Sequence, residues 1–328
     1  MREAVLELLL RHLGEFLSGE AMSEALGVSR AAIWKAIDAL RAEGIRIEAI
    51  PRRGYRLTAP PDRLTIGAIA PYLNDPARPL ICLDTVDSTN SYIKSLALVG
   101  GITAGTAVVS DEQTGGRGRL GRSFQSPKGK GIYVSVLWKP VLPPRRALDL
   151  TSFVAVAVCE GIEAATGVKP GIKWTNDLVL DGKKLGGILT EMSVEGETGV
   201  LQYVVTGIGV NVNHAPEDFS DEIQPIAVSL AQVLGHPVAR GQLCACLLNA
   251  LDVMYDDWLA GRGDYRTRYR DNCLTLGSPV RILRGDRAED AFAEDIDEHF
   301  GLIVRHPDGR RETVTSGEVS VRGLFGYT

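Results

Sequence analysis

The organisation of this chain is set by one stretch, residues 111–135, which reads DEQTGGRGRLGRSFQSPKGKGIYVS. Six glycines interrupt it, and residues 113–130 contain no acidic residue but five cations, namely Arg117, Arg119, Arg122, Lys128 and Lys130. Glycines let backbone N–H groups approach a ligand closely, and cations without counter-charges attract phosphate or carboxylate oxygens. We therefore predict that residues 113–130, here named the glycine/arginine loop, bind a phosphorylated small molecule.

The loop also places Gly116, Gly118 and Gly121 at the spacing of the dinucleotide-binding fingerprint. That fingerprint requires a helix directly after the glycines, whereas here the sequence continues into the strand-like run IYVSVL at residues 132–137. We therefore reject a Rossmann nucleotide site. A solvated flexible linker is the other interpretation of a Gly/Arg-rich run, and the rest of the chain argues against it.

Length and composition limit the class of protein. The chain has 328 residues, enough for two or three domains, and its 45% hydrophobic and 23% charged content is typical of a soluble globular protein. A net charge of −5 excludes a whole-surface nucleic-acid binder, so any DNA contact must come from a local patch. The five cysteines include no C-x-x-C pair, which indicates neither a disulfide framework nor a metal site. With no signal peptide and no spanning apolar run, we expect a cytoplasmic protein without a membrane partner.

Residues 1–60 are predicted to form a winged helix-turn-helix DNA-binding domain. A leucine-rich first helix is followed by a second helix capped by Ser18; Gly27 ends it, and Ser29 caps the third. Two short helices around a glycine-containing turn are typical of the helix-turn-helix motif. The alternating sequence of residues 45–57 then predicts a hairpin, which would be the wing. Prolines at positions 60 and 61 predict a linker, where we place the domain boundary.

The basic residues of this first domain predict where DNA binds. We expect Ser29, Arg30 and Lys35 to face the groove, and Arg52 and Arg53 of the wing to contact phosphates. The alternative is a helical cap that contacts only protein. The arginines of the wing favour DNA.

The central domain is predicted to span residues 61–275. Apolar runs indicate strands at 80–83, 106–110 and 203–213, and helices at 148–165 and 243–259. Asp87 or Ser88 is well placed to cap the helix that follows it. Because helix N-termini also accept anions, the same residues are alternatively part of a substrate site.

A second lysine-containing segment follows, at residues 171–189. Asp181 and Gly182 between two apolar runs predict a hairpin with a type I′ turn. We place Lys173 and Lys184 on opposite arms of this hairpin, which would bring two ammonium groups into one site. A single lysine is usually a solvated surface residue, but the adjacent Trp174 and a following glycine pair indicate burial. The glycines of the 203–213 strand predict a place for a flat ligand.

The last domain is predicted at residues 276–328. Its short strands are expected at 279–283, 288–297, 301–305 and 312–314. A Pro-Asp-Gly turn at 307–309 links two of them, and this spacing predicts a small β-barrel.

Four motifs, taken in order, resemble those of the bifunctional biotin–protein ligases that double as biotin operon repressors. The motifs are DSTN at 87–90, GRGRLGR at 116–122, KWTNDL at 173–178 and KLGGIL at 184–189. The resemblance covers nearly the whole chain, including the amino-terminal winged helix that simpler ligases lack. It implies an α+β multidomain fold, with a class II synthetase-like mixed sheet and helices in the centre and an SH3-like β-barrel at the carboxyl end.

The resemblance also implies a two-step reaction on biotin and ATP, with Mg²⁺ accompanying the nucleotide. Biotin and ATP form biotinyl-5′-adenylate and pyrophosphate, and a lysine of an acceptor domain of the biotin carboxyl carrier type then attacks the adenylate. Attack of a carboxylate on a phosphate brings anions together, so cations must neutralise charge, and no protein nucleophile is needed. Adenylate binding would order the glycine/arginine loop and favour a homodimer that binds two half-sites of operator DNA.

Residue roles follow from the same resemblance. The implied biotin-binding residues are Ser88, Thr89, Asn90, Gln113, Arg117, Gly118, Arg119 and Lys184. The implied nucleotide-binding residues are Arg119, Arg122, Phe124, Lys173, Asn176, Asp177 and Lys184. Lys184, Arg119 and Asp177 are the implied catalytic residues.

Two positions depart from the family pattern, which usually has tryptophan at Phe124 and commonly proline at Thr175. Phenylalanine keeps a ring for stacking on adenine but loses the indole donor, and threonine loses a restrained φ. Two other functions stay open at this point. One is a repressor that senses an adenylate without ligating it, and the other is a lipoate-type ligase on a related fold.

Overall fold

The computed structural model describes residues 1–42, 45–58, 62–285, 287–315 and 319–323. The chain divides into two compact units, Met1–Asp62 and Arg63–Thr328, and each contains hydrophobic core clusters of its own. The predicted linker prolines at positions 60 and 61 lie outside the described residues. Within the described ranges, no helix is long and apolar enough to span a bilayer.

The first unit contains three helices and a two-stranded hairpin. They are α1 (Arg2–Arg11), α2 (Gly19–Leu26), α3 (Arg30–Ala42), β1 (Ile47–Ile50) and β2 (Gly54–Leu57). The predicted caps are confirmed. The Ser18 hydroxyl accepts a hydrogen bond from the Ala21 amide at 3.0 Å, and the Ser29 hydroxyl accepts one from the Ala32 amide at 3.2 Å. Gly27 ends α2 in the left-handed region at φ 64°, where glycine has no steric penalty.

The β1–β2 hairpin, here called the wing, is tied to the helical part by backbone hydrogen bonds. Leu17 and Tyr55 exchange two of them, with N–O distances of 2.9 and 2.8 Å. Apolar side chains from all three helices form the core under the wing, including Val5, Leu9, Met22, Ile33, Ile37 and Leu40. The helical spacing of these residues is why the sequence predicts this unit well.

The second unit is built on a seven-stranded sheet, in the order β3-β4-β5-β9-β8-β7-β6. Its strands are β3 (Leu80–Leu83), β4 (Ala107–Ser110), β5 (Gly131–Trp138), β6 (Gly171–Lys173), β7 (Asp177–Leu180), β8 (Lys183–Val194) and β9 (Leu201–Asn211). Only β3 and β4 pair in parallel, so the sheet is mixed. Strand β9 lies in the middle of the seven.

Helices cover both faces of this sheet. They are α4 (Ile66–Ile69), α5 (Thr89–Val99), α6 (Pro144–Ala147), α7 (Leu150–Thr166), α8 (Leu230–Leu234), α9 (Arg240–Ala260) and α10 (Tyr265–Asn272). Along β4, Ala107 and Val109 belong to the large core with α7 and α9, whereas Val108 joins the smaller core with α5. Because successive strand residues point to opposite faces, α5 lies on one face and the α7/α9 pair on the other.

The lysine-containing segment differs from its prediction in one respect. The turn between β7 and β8 has Asp181 at φ 49° and Gly182 at φ 71°, which confirms the type I′ turn. Lys173, however, lies on β6, which pairs with β7 in a preceding hairpin, so placing Lys173 and Lys184 on one hairpin was wrong. Residues 174–176 make the additional turn without glycine or proline, and the sequence therefore carries no signal for it.

The carboxyl-terminal strands form a five-stranded antiparallel sheet in the order β13-β12-β11-β10-β14. They are β10 (Pro279–Arg284), β11 (Arg287–Ile296), β12 (Leu302–Arg305), β13 (Arg311–Val314) and β14 (Val319–Gly323), of which β14 was not predicted. This sheet packs onto the central part of the same unit. The Trp174 indole donates to the Phe300 carbonyl at 2.8 Å, and the Phe153 ring meets the Phe300 ring at 5.4 Å.

Candidate functional site

A cleft of about 880 Å³ lies in the second unit, between the start of α5, the glycine/arginine loop and strands β6 to β9. All the small-molecule site residues expected from the sequence line it. They are Ser88, Thr89, Asn90, Gln113, Arg117, Gly118, Arg119, Arg122, Phe124, Lys173, Asn176, Asp177 and Lys184. The fold thus brings together residues that the chain separates by almost a hundred positions.

The glycine/arginine loop forms a narrow hairpin over this cleft. The Phe124 amide donates to the Gly116 carbonyl at 2.9 Å, and the Gly118 amide donates to the Arg122 carbonyl at 2.7 Å. A side chain at Gly116 would place its Cβ 2.3 Å from the Phe124 carbonyl oxygen, so only glycine fits there. A single turn of 3-10 helix, Arg119–Gly121, is followed by β5 and not by an α-helix, which confirms that the dinucleotide fingerprint does not apply.

The five cations of the loop do not all face the cleft. Arg117, Arg119 and Arg122 line it. The ammonium of Lys128 instead pairs with Asp84 at 2.6 Å, and that of Lys130 pairs with Asp218 at 2.7 Å. The prediction that all five attract a ligand was therefore wrong for the two lysines, because acidic residues distant in sequence neutralise them.

One end of the cleft is lined by the uncharged hydrogen-bonding side chains of Ser88, Thr89, Asn90 and Gln113. Together with the fully buried Ser135, which contacts Thr89 and Asn90, they are here called the neutral end. The Gln113 side-chain carbonyl accepts from the Thr89 amide at 2.9 Å and lies 3.1 Å from the Thr89 hydroxyl. The Ser135 hydroxyl lies 2.7 Å from the Thr89 hydroxyl and 2.6 Å from the Asn90 Oδ1. Ser135 was missed by the sequence analysis, although a lone serine inside the apolar run IYVSVL was an available signal.

Ser88 occupies the N-cap position of α5, as one interpretation of the sequence predicted. Its backbone is extended, at φ −156° and ψ 129°, but its side chain makes no capping hydrogen bond to the described helix. Capping alone therefore does not account for a serine here. Its hydroxyl lies beside the cleft at the end of the helix where backbone N–H groups point outward.

The opposite end of the cleft is charged, and Arg119, Lys173, Asn176, Asp177 and Lys184 form what is here called the charged end. The Lys184 ammonium contacts Asp177 Oδ1 at 2.7 Å, and Arg119 Nη1 donates to Asn176 Oδ1 at 2.9 Å. Burial lowers the pKa of Arg119, and the nearby Asp177 carboxylate opposes that shift. The guanidinium stays protonated at neutral pH.

Glycines of β9 allow side chains to lie flat on the central strand. A Cβ at Gly207 would lie 2.2 Å from the Asn90 Oδ1, and one at Gly209 would lie 2.5 Å from the Phe124 ring. The Phe124 ring also meets the Tyr133 ring edge-on, with centroids 6.4 Å apart. The two glycines predicted to lie under a flat ligand therefore lie directly under Asn90 and Phe124.

One acidic residue of the cleft region was missed by the sequence analysis. Glu191 of β8 accepts hydrogen bonds from the Asn90 amide at 2.8 Å and from the Lys94 ammonium at 2.6 Å. Burial would raise the pKa of Glu191, but the hydrogen bonds from Lys94 and Asn90 outweigh burial and lower it. No local pattern marks Glu191, because its partners lie about a hundred residues away in the chain.

The segment after β9 forms another wall that the sequence did not indicate. Ile223, Pro225 and Ile226 line the cleft, and the Lys184 amide donates to the Ile226 carbonyl at 2.7 Å. In the same segment His214 is buried against the Phe219 ring, with centroids 4.9 Å apart. Burial lowers the pKa of His214 to about 4.

Within the described ranges, no group of three or more His, Cys, Asp or Glu side chains could hold a metal ion. All five cysteines are free.

The predicted DNA-contacting residues lie in the first unit. Arg30 and Lys35 are exposed on α3, and Arg52 lies at the tip of the wing with φ 67°. The Arg53 guanidinium lies 4.5 Å above the Phe16 ring. Ser29 is also exposed, but its hydroxyl caps α3.

Two further residues affect the charge and composition of the predicted DNA-contacting surface. Arg56, which also belongs to the basic sequence of the wing, is bound to Glu48 and so contributes less net charge than the sequence suggested. Trp34 was missed, although it is 59% exposed on α3, whereas Ile33, Ile37 and Leu40 of the same helix are buried.

Comparison with known proteins finds three family models that match separate parts of the chain. Residues 82–211 match the biotin/lipoate A/B protein ligase family, residues 2–56 match a helix-turn-helix domain, and residues 275–322 match the biotin protein ligase carboxyl-terminal domain. The bifunctional ligase/repressor BirA of Bacillus spizizenii is 39% identical over 312 residues, which cover 94% of this chain and 95% of that protein. The chain belongs to the family of bifunctional ligase/repressors.

More distant relatives agree with this family assignment. BirA of Escherichia coli is 32% identical over 313 residues, covering 94% of each chain. Among solved structures, the biotin protein ligase of Aquifex aeolicus in complex with biotin and ATP superimposes with a TM-score of 0.64 at 30% identity. That structure covers 75% of this chain, and this chain covers 99% of it.

Proposed function

We propose that this chain is a biotin–protein ligase that forms biotinyl-5′-AMP in the cleft and transfers biotin to a lysine of an acceptor protein. The observation that carries the proposal is the pairing of a neutral end and a charged end within one cleft, under a loop that contributes three arginines. Biotin has the matching division, with an uncharged ureido ring at one end and a carboxylate at the other. The names of this chain's relatives and the ligand-bound Aquifex aeolicus ligase support the same activity.

We assign the ureido ring to the neutral end. The ring offers N–H donors and one carbonyl acceptor, and the side chains of Ser88, Thr89, Asn90 and Gln113 offer the complementary groups. These groups are already held by one another before a ligand arrives. Because they need little rearrangement, binding loses less conformational entropy. Arg117 and Gly118 of the loop would cover the biotin.

The charged end is assigned to the reacting groups. A carboxylate oxygen of biotin attacks the α-phosphorus of ATP, the bond to pyrophosphate breaks, and Lys184 and Arg119 neutralise the charge that accumulates. The neutral amine of the acceptor lysine then attacks the acyl carbon, AMP leaves with the bonding electron pair, and the new amide nitrogen releases one proton to solvent. Asp177 holds the Lys184 ammonium in place.

The nucleotide is assigned to the same end, with Arg122, Lys173 and Asn176 near the phosphates and Phe124 offering a ring to adenine. Mg²⁺ would be held by oxygens of Asp177 and Asn176 together with the phosphates, a donor set that suits this ion, and would neutralise phosphate charge. With one carboxylate among these donors, the site fits an ion that arrives with the nucleotide.

We further propose that the first unit represses transcription by binding operator DNA. Support comes from the helix-turn-helix match and from exposed Arg30, Lys35, Arg52 and Arg53. A homodimer formed when the adenylate is bound would present two such units to two half-sites. Lys35→Ala and Arg53→Ala are each expected to reduce the salt dependence of DNA binding by a slope of about 1, without changing ligation.

The finer architecture and location are part of the same proposal. We place the domain boundaries at residues 60/61 and 275/276. A class II synthetase-like central sheet agrees with the mixed seven-stranded sheet, and an SH3-like carboxyl-terminal barrel agrees with the antiparallel five-stranded sheet. A cytoplasmic location agrees with the five free cysteines.

One assay tests the activity and separates it from its rivals. We expect biotin-dependent pyrophosphate release, followed by transfer of one biotin per acceptor domain when a biotin carboxyl carrier domain is added. Equal turnover with lipoate would instead indicate a lipoate-type ligase. Pyrophosphate release without transfer to any acceptor would indicate an adenylate-sensing repressor.

A further inference from the structure

Glu191 contacts both sides of the neutral end. Its Oε2 accepts from the Asn90 amide at 2.8 Å and lies 3.9 Å from the Arg117 guanidinium, and its Oε1 accepts from Lys94 at 2.6 Å. Arg117 in turn donates to the Ser91 hydroxyl at 2.6 Å. One carboxylate on β8 is therefore hydrogen-bonded to two residues of α5 and lies within ion-pair distance of the glycine/arginine loop.

The orientation of the Asn90 amide is the feature that matters for a ligand. An asparagine side chain presents a carbonyl on one side and an NH₂ on the other, and a flip exchanges them. Ser135 lies 2.6 Å from the Asn90 Oδ1, but a hydroxyl can donate or accept and so tolerates either orientation. An ionised carboxylate can only accept. The NH₂ of Asn90 therefore points towards β8, where it donates to two groups that can only accept, the Glu191 carboxylate at 2.8 Å and the Leu189 carbonyl at 3.3 Å. The hydrogen bond to Glu191 is the shorter of the two and is strengthened by charge.

The state of Glu191 supports this reasoning. The hydrogen bonds from Lys94 and Asn90 outweigh burial and lower the pKa of Glu191, so the side chain is a carboxylate at neutral pH. Its negative charge also lies near two cations, the Lys94 ammonium at 2.6 Å and the Arg117 guanidinium at 3.9 Å.

We propose that Glu191 is a positioning residue for biotin, which fixes the orientation of Asn90 and anchors Arg117 of the loop. This inference rests on the proposed function, because it requires Asn90 to contact the ureido ring. Glu191 itself acts through Asn90 and Arg117 and takes no part in the chemistry. Its removal should therefore change biotin binding and adenylate retention more than it changes the rate at which bound biotin and ATP react.

The first test is the steady-state kinetics of pyrophosphate release by the full chain. We expect Glu191→Gln, whose amide can donate as well as accept, to raise the KM for biotin about tenfold, the effect of one hydrogen bond of about 1.4 kcal/mol. The KM for ATP and kcat should stay within about twofold. Glu160→Gln is the matched control, because Glu160 is also a partly buried glutamate paired with an arginine, but its partner Arg268 does not line the cleft as Asn90 and Arg117 do.

A double-mutant cycle distinguishes positioning from a general structural role. In an Asn90→Ala background, Glu191→Gln should raise the KM for biotin no further, because the side chain that it orients is gone. In an Arg117→Ala background, Glu191→Gln should likewise add nothing to the rate at which the adenylate dissociates. Fully additive effects in both cycles would overturn the proposal, as would a KM for biotin equal to that of Glu160→Gln.

Two further results complete the test. Glu191→Asp retains an obligate acceptor on a shorter side chain, and we expect its KM for biotin to fall between those of the wild type and Glu191→Gln. If Glu191→Gln does not fold, as judged by circular dichroism, Glu191→Asp still tests the proposal. An intermediate KM for biotin in Glu191→Asp would support it, and a wild-type KM would count against it. If Asn90→Ala itself leaves the KM for biotin unchanged, the assignment of biotin to the neutral end fails, and this inference fails with it.

Discussion

The two ends of the cleft hold their side chains in different ways. At the neutral end Thr89 and Asn90 are each 3% exposed, and hydroxyls and amides fix one another by directional hydrogen bonds. At the charged end the side chains of Lys184 and Asp177 are 30% and 20% exposed, and they are held by their opposite charges. The neutral end is a buried network of fixed geometry, whereas the charged end is a more open set of compensated charges.

This difference indicates which step each end serves. The ureido ring does not change during the reaction, so contacts at the neutral end stabilise ground state and transition state alike and should appear in KM. Charge develops only where the carboxylate meets the phosphate, so contacts at the charged end should appear in kcat. The predictions below test that division, starting with the largest expected effect.

Loss of the Lys184 ammonium should have the largest effect. Lys184→Met keeps the length of the side chain but removes the charge, and we expect kcat for adenylate formation to fall about 10²–10³-fold, the usual effect of one transition-state donor. The KM for biotin should change little. Lys139→Met is the control, because Lys139 is exposed and donates to the Ile102 carbonyl. An increase in the KM for biotin with unchanged kcat would contradict the assignment of Lys184 to the charged end.

Crowding the central strand should separate the two ends. In Gly207→Ala the new Cβ would lie 2.2 Å from the Asn90 Oδ1, whereas in Gly209→Ala it would meet the Phe124 ring. Overpacking costs about 1–3 kcal/mol, so we expect the first variant to raise the KM for biotin roughly tenfold and the second to raise that for ATP. The same pattern of KM changes in both variants would show that the ends are not independent.

The pH dependence of folding should come from His214, which lies in the segment after β9. Burial lowers the pKa of His214 to about 4, and the charged groups around it are Asp218, Lys130 and Arg240. The imidazole binds a proton below about pH 6.5 in the unfolded chain but only below about pH 4 in the folded chain. The free energy of unfolding therefore decreases as the pH falls from about 6.5 to about 4. Between pH 7 and pH 5 this amounts to about 2 kcal/mol.

Urea denaturation of the wild type and of His214→Phe at several pH values measures this effect. We expect the phenylalanine variant, which keeps a ring for stacking on Phe219, to lose less stability on acidification than the wild type. Parallel pH profiles for the two proteins would show that His214 is not the group responsible.

Removal of a single hydroxyl from the neutral end should have the smallest effect. Ser135→Ala leaves the Asn90 Oδ1 without the hydroxyl that lies 2.6 Å away. A net hydrogen bond contributes about 1 kcal/mol, so we expect the KM for biotin to rise about fivefold with an unchanged kcat. A fall in kcat at saturating biotin would place Ser135 among the groups that act on the reacting atoms.

Local signals account for what the sequence predicted well. The caps at Ser18 and Ser29, the left-handed Gly27 and the type I′ turn at Asp181 and Gly182 each depend on a few adjacent residues, and all are confirmed. Family motifs similarly indicated the residues that now line one cleft.

Long-range pairing accounts for what the sequence did not show. Glu191 lies 101 positions from Asn90, and Lys128 lies 44 positions from the Asp84 that neutralises it. No pattern within a few residues reports such contacts, because only the sheet order brings their strands and helices together. The turn between β6 and β7 was missed for a simpler reason, the absence of glycine and proline.

The most direct test of the division between the two ends is a single-turnover measurement of adenylate formation without an acceptor. The enzyme is mixed with biotin and ATP labelled at the α-phosphate, quenched, and assayed for biotinyl-5′-AMP in the wild type, Asn90→Ala and Lys184→Met. We predict that high biotin concentrations restore the wild-type rate in Asn90→Ala, and that no biotin concentration restores it in Lys184→Met. Rescue of Lys184→Met by biotin, or a failure to rescue Asn90→Ala, would contradict the account.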